Sequence, residues 1–139
     1  MTMPLHAPVT LLVIDDDQSF RRALARLLRR DGATVDTAAN GDRALALLQE
    51  RHYEVILCDL HMPELDGPAF YDILTSQYPS LRQRVIFLTG DTLHADSLAF
   101  LEQCGQPWLA KPCTIAAVRR AIQHVLHAAS MYPEYRCSR

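Results

Sequence analysis

The stretch Val9-Thr10-Leu11-Leu12-Val13-Ile14-Asp15-Asp16-Asp17 runs an unbroken apolar segment straight into three acids. Val55-Ile56-Leu57-Cys58-Asp59 repeats the arrangement. A short apolar run of this kind reads as a buried strand. A buried strand that stops on an acid points charge out of the end of a sheet. Two such ends side by side gather three or more carboxylates, and each raises its neighbour's proton affinity. Folding tolerates that crowding where a cation fills the gap. Ligands that are all oxygen suit a hard divalent ion, Mg2+ ahead of Zn2+ or Ca2+.

The 139 residues suffice for one ordinary domain with one core. A hydrophobic content of 49% and a charged content of 22% fit a soluble globular protein rather than a disordered one. The net charge of -2 supplies no basic field for nucleic acid or for a membrane surface. No apolar run approaches the roughly 20 residues a membrane span needs. The first residues lack a basic segment followed by an apolar one, so no signal peptide is visible and a cytoplasmic location is expected. Cys58, Cys104, Cys113 and Cys137 are scattered without CxxC spacing and read as free thiols of a reducing compartment.

Short apolar runs alternate with longer amphipathic ones. Strands are expected at Val9 to Ile14, Ala33 to Ala38, Glu54 to Asp59, Arg84 to Thr89 and Trp108 to Ala110. A helix is expected over Gln18 to Arg30, with Phe20, Leu24, Leu27 and Leu28 on one face and Arg21, Arg22, Arg26 and Arg29 on the other. Asp17 or Ser19 caps its start, and Gly32 follows its end. Further helices are expected from Gly41 to about Arg51 behind an Asn40 cap, Pro68 to about Gln77, Thr92 to Gln103, and Thr114 to about His127. Residues 1–7 read as a flexible flank, 8–128 as the folded domain and 129–139 as a tail. Five β-α units in strict alternation imply a doubly wound α/β fold, a parallel sheet with helices on both faces. Ligands of such sheets bind outside the carboxyl ends of the strands, where Asp15, Asp16, Asp59, Thr89 and Lys111 all fall.

One sheet edge then holds three carboxylates, a hydroxyl and an amine. An aspartate is a competent nucleophile toward phosphorus once a metal polarises the phosphoryl oxygens. A lysine and a hydroxyl bind the remaining oxygens. There is no GxGxxG and no GxxxxGK[ST], so the site accepts a phosphoryl group without a nucleotide-binding loop.

These pieces resemble the receiver domain of two-component response regulators. The matching segments are Val13-Ile14-Asp15-Asp16-Asp17, Cys58-Asp59-Leu60-His61-Met62-Pro63-Glu64-Leu65-Asp66-Gly67, Leu88-Thr89-Gly90 and Trp108-Leu109-Ala110-Lys111-Pro112. The resemblance covers roughly residues 8 to 128. It implies a flavodoxin-like five-stranded sheet in order 2-1-3-4-5 with five helices. It implies Asp59 as phosphoacceptor, and Mg2+ (or Mn2+) held by Asp16, Asp59 and the backbone carbonyl of His61, with Asp15 acting largely through metal-bound water. Thr89 is the switch hydroxyl, Lys111 pairs with the phosphoryl group, and the Lys111-Pro112 bond is cis. Trp108 takes an aromatic switch position usually held by tyrosine or phenylalanine. The implied partner is a histidine kinase or a histidine phosphotransfer protein, which often docks on the first helix. A homodimer through the face of the fourth helix, fifth strand and fifth helix is a further expectation. Neither nucleic acid nor membrane contact is expected of this domain.

Departures from the family pattern are Cys113, where phenylalanine is usual, and His61 and Asp91, each two residues past a motif residue. His61 and Asp91 flank the expected phosphoryl position and are read as setting phosphoryl lifetime. Two rivals are weighed against this reading. A phosphatase of the haloacid-dehalogenase type wants an acid two residues after its nucleophile, and His61 stands there. A phosphorylation-independent binding module usually loses an acid or the lysine, and this chain keeps them all. As an isolated domain it is not a conventional enzyme. No DNA-binding pattern follows the last helix. Leu88 to Leu93, Phe100-Leu101, Gly105, Pro107 and Lys111-Pro112 are similar to receivers of hybrid sensor histidine kinases, the parent protein favoured over a stand-alone regulator or an excised regulator domain.

Overall fold

Every apolar run flagged above forms a strand, and an amphipathic helix follows each one. The computed structural model describes residues 8–90 and 94–131 and, in the last helix, leaves the side chains of residues 130 and 131 aside. The strands are β1 (Thr10–Ile14), β2 (Thr34–Ala38), β3 (Val55–Asp59), β4 (Val85–Thr89) and β5 (Trp108–Ala110). The helices are α1 (Gln18–Arg30), α2 (Gly41–Glu50), α3 (Gly67–Gln77), α4 (Ala95–Cys104) and α5 (Ile115–Met131). The sheet is parallel throughout, in the order β2-β1-β3-β4-β5. The chain winds one way from β1 to β2 and the other way from β1 to β3. The crevice outside β1 and β3 is therefore the topological switch point.

Side-chain alternation splits the core in two. Leu11, Val13, Val55, Leu57, Ile86 and Leu88 face α1 and α5, against Leu24, Leu28, Val118 and Ile122. Leu12, Ile14, Ile56, Cys58, Val85 and Phe87 face the other layer, against Ala44, Leu48, Phe70, Leu74 and Leu101. β1, β3 and β4 are apolar on both faces because both faces are covered.

Local chemistry fixes the helix starts. Asp17 accepts from the Phe20 amide (3.1 Å), Asn40 from Arg43 (2.8 Å) and Asp66 from Ala69 (3.0 Å). Such caps are worth about 1 kcal/mol each. Differences from the expected elements lie at the edges. A 3-10 turn at Pro79–Leu81, unanticipated because it spans only three residues, precedes β4. α4 begins at Ala95, with His94 as a cap that makes no side-chain bond; Thr92 and Leu93 lie outside the described residues. α5 runs to Met131, past the expected end near His127, because Ala128 and Ala129 continue it and no Gly or Pro intervenes before Pro133. Among the described residues no helix is long and apolar enough to cross a membrane.

Candidate functional site

The site forms where β1 and β3 end together. Ile14 pairs with Cys58 in the parallel register, so Asp15 and Asp59 emerge side by side one step later. Carboxylate oxygens of Asp15, Asp16 and Asp59 all lie within 4.8 Å of one another. Asp15 is fully buried and Asp59 nearly so, whereas Asp16 is exposed. Asp15 Oδ1 accepts from the Asp17 amide (2.9 Å), and the Asp15 carbonyl accepts from the Arg21 guanidinium (2.8 Å).

Lys111 reaches this cluster from the far side of β4. Its own amide bonds the Thr89 carbonyl (2.7 Å), which locks the end of β5 to the end of β4. Its ammonium lies 2.6 Å from Asp15 Oδ2, 3.7 Å from Asp59 Oδ1 and 4.4 Å above the centre of the Phe20 ring. The Lys111-Pro112 bond is cis, as the family pattern implies. One ammonium cannot neutralise three carboxylates. Burial first, and then the Asp15 charge, push the Asp59 carboxyl up to about 7 against the pull of Lys111. Burial works against the Lys111 charge, but its bond to Asp15 and the charges of Asp59 and Asp15 outweigh that and raise its affinity for a proton. Burial likewise raises the Cys58 thiol, an inert neighbour beneath the acids.

Alternation places the remaining expected residues. Thr89 is buried at the end of β4 and shares a sheet face with Phe87. Trp108 pairs with Phe87 across β4 and β5 and lies on that same face, yet it is 39% exposed. Beneath it Phe87, Tyr71 and Phe100 form an edge-to-face cluster with centroids 5.2 to 6.0 Å apart. The sheet thus separates Asp15 and Lys111, on the α1–α5 side, from Thr89 and Trp108, on the α3–α4 side. Met62 is buried as packing. Asp91 lies outside the described residues. Cys113 packs against the α1–α5 core rather than the acids. Cys58, Cys104 and Cys113 are free thiols.

Three residues at the site take no individual role from the sequence pattern, although Gly67 closes one of the matching segments. Phe20 read only as part of the apolar face of α1, but it also lies under the Lys111 ammonium. Gly67 lets α3 start against the backbone of Leu60, since a Cβ there would sit 2.8 Å from Leu60 Cα and 3.0 Å from the Asp59 carbonyl. Ser97 of α4 is buried, with its Oγ 3.1 Å from His61 Nε2. The arginines Arg22, Arg26, Arg29 and Arg30 line a separate open groove along α1 with Thr37.

The sequence profile of the response regulator receiver domain matches residues 11–123. The DNA-binding transcriptional regulator NtrC of Salmonella typhimurium is 35% identical over 116 residues, covering 81% of this chain and 24% of that protein. The transcriptional regulatory protein ResD of Bacillus subtilis is 31% identical over 120 residues, covering 86% and 49%. This chain therefore spans only about a quarter to a half of those relatives' length. Among solved structures, the chemotaxis protein CheY4 of Vibrio cholerae superposes with a TM-score of 0.77 at 30% identity, covering 86% of this chain and all of that one. The receiver domain of a signal transduction histidine kinase from Syntrophus aciditrophicus gives 0.78 at 26% identity, covering 86% and 91%. Receiver domains typically bind Mg2+ and interact with histidine kinases or phosphotransfer proteins. The chain belongs to the response regulator receiver domain family of two-component signalling.

Proposed function

We propose that this receiver takes a phosphoryl group from a phosphohistidine onto Asp59 and thereby changes its affinity for a partner. The observation that carries the reading is the convergence of Asp15, Asp16 and Asp59 within 4.8 Å, with a single ammonium against them. That donor set is all oxygen and carries surplus negative charge, which fits Mg2+ or Mn2+. Asp16, Asp59 and the backbone carbonyl of His61 would hold the ion, with Asp15 acting through its water. When bound, the ion offsets the carboxylates and the charge on the phosphoryl oxygens.

Asp59 is the nucleophile. Its oxygen forms a bond to phosphorus as the P–N bond of the phosphohistidine breaks, and the imidazole of the donor leaves. Lys111, 3.7 Å from Asp59 Oδ1, would pair with a phosphoryl oxygen of the modified Asp59. Thr89 donates its hydroxyl to another phosphoryl oxygen. That draws it toward the site, on the face it shares with Trp108, whose indole follows. His61 and Asp91 set how long the acyl phosphate survives. The donor is a histidine kinase or a histidine phosphotransfer protein. The α4-β5-α5 face is the surface for a homodimer, the domain works in the cytoplasm, and its parent chain is a hybrid sensor kinase. Neither nucleic acid nor membrane touches this domain. Intact-mass spectrometry after acetyl phosphate, with and without Mg2+, tests the reading. One phosphoryl adduct is expected, dependent on Mg2+ and absent from Asp59→Asn. Full labelling of that variant would remove Asp59 as the nucleophile.

A further inference from the structure

β3 and β4 are neighbours, so the segments that follow them lie side by side at the carboxyl edge of the sheet. His61 is the second residue past Asp59, and Ser97 sits in the first turn of the helix that follows β4. The 3.1 Å contact between Ser97 Oγ and His61 Nε2 bridges these two segments, and the His61 amide in turn donates to Asp59 Oδ1 (3.4 Å). Ser97 is 5% exposed, while the residue it holds is exposed. A hydroxyl buried at that position gains from a partner whichever of the two groups carries the shared proton. Within α4 the buried side chains are Ser97 and Leu101. One of the helix's two buried anchors is thus a polar bond to the phosphoacceptor segment itself.

We propose that Ser97 is a positioning residue for His61: it holds the imidazole at the mouth of the Asp59 site, so the placement of α4 sets the rate at which water reaches the acyl phosphate. The inference rests on the phosphoacceptor reading and extends it from the site to α4. The coupling is reciprocal. A partner that shifts α4 alters phosphoryl lifetime, and a change in the segment after Asp59 reaches α4 through the same bond. Among the described residues the Ser97 side chain bonds His61 and not Asp15, Asp16 or Asp59, so it acts through the imidazole it holds.

Two measurements test this. The first is loss of phosphate from Mg2+-bound, phosphorylated wild type, His61→Ala, Ser97→Ala, Ser97→Thr and the His61→Ala/Ser97→Ala double variant. Ser97→Ala should change the rate in the same direction as His61→Ala, by at least about threefold, and the double variant should match His61→Ala alone, because linked residues do not add. Ser97→Thr keeps the hydroxyl and should return the rate to within about twofold of wild type. The second is the 15N shift of the His61 ring in the unphosphorylated protein. It should move in Ser97→Ala and hold in Ser97→Thr, independent of any phosphoryl chemistry. Additive effects, a wild-type rate in Ser97→Ala, or an unmoved His61 ring would overturn the proposal. Failure of Asp59 to label in the wild type would instead overturn the phosphoacceptor reading, while the ring shift would still decide the Ser97–His61 contact.

Discussion

Lys111 Nζ stands 2.6 Å from Asp15 Oδ2 and 3.7 Å from Asp59 Oδ1, so the one lysine of this chain is committed to the buried acid. Asp15 has no exposed surface and cannot share its charge with water. The ammonium is held where it is by that need, and Phe20 closes one side of it. Lys111→Ala leaves Asp15 a buried charge without this partner. The metal-free variant should lose about 1.5–3 kcal/mol, the range for hydrogen bonds to charged groups. Thermal melts should show the deficit shrinking when Mg2+ is added, because the ion supplies positive charge to the same acids.

The raised Asp59 carboxyl gives a signed pH dependence. Its affinity for a proton climbs from the ordinary 3.8 to about 7 on folding. The folded protein therefore keeps a proton that the unfolded chain has released. The stability this contributes is fully present below pH 3.8 and is lost as pH rises through about 7. Asp59→Asn removes the titration. In metal-free melts the variant should gain on wild type as pH rises from about 4 to about 7 and level off above that, and the gap should narrow toward acid pH.

Metal binding carries the opposite sign, since a ligand must be deprotonated to bind. The Mg2+-dependent rise in melting temperature should grow with pH across the same window. A ligand that binds only the native state adds RT ln(1 + [L]/Kd) to stability. Asp16→Asn should reduce that rise at every pH. An unchanged Mg2+ effect in Asp16→Asn would remove that residue from the metal site.

Gly67 and Gly90 should respond differently to alanine. A Cβ at Gly67 would meet backbone atoms of Leu60 and the Asp59 carbonyl at 2.8 to 3.0 Å, and backbone cannot step aside cheaply. Gly67→Ala should cost about 1–3 kcal/mol, as overpacking does. It should also weaken the Mg2+ effect, because the clash falls on the backbone of Asp59 and Leu60. A Cβ at Gly90 meets nothing within 4 Å among the described residues. Denaturant melts of Gly90→Ala should stay within about 0.5 kcal/mol of wild type.

Trp108 should report the proposed switch. It is the single tryptophan and is exposed on the face it shares with Phe87 and Thr89. Beryllofluoride with Mg2+, standing in for the phosphoryl group, should shift its fluorescence toward that of a less solvated indole. Thr89→Ala should bind the mimic and give a smaller shift. A wild-type spectrum that does not move, with binding shown independently, would mark Trp108 as static.

The strands were legible because a parallel sheet covered on both faces leaves nearly continuous apolar runs, and these end where the acids begin; their order came only from the family resemblance. Helix starts were legible at Asp17 and Asn40, where the cap is a local sequence matter. Asp15, Asp16, Asp59, Thr89 and Lys111 were legible because strand ends project to one edge whatever the helices do. Ser97 left no trace, since a serine in the first turn of an amphipathic helix is ordinary and its partner lies 36 residues away. Phe20 hid among apolar neighbours. The choice of Asp15 over Asp59 by Lys111 was also illegible, because it depends on which carboxylate is more deeply buried. Trp108 matched its motif position, but its outward exposure follows from β5 being a three-residue edge strand, a property of packing rather than pattern.

The central claim is that Asp59 carries the phosphoryl group as an acyl phosphate. Borohydride reduces an acyl phosphate to the alcohol, which would turn a modified Asp59 into homoserine. The measurement is peptide mapping of acetyl-phosphate-treated, Mg2+-bound protein after reduction. The account predicts homoserine at position 59, with Asp15, Asp16 and Asp17 intact. Homoserine at any of those three instead, or label that resists reduction and maps to a histidine, would contradict it.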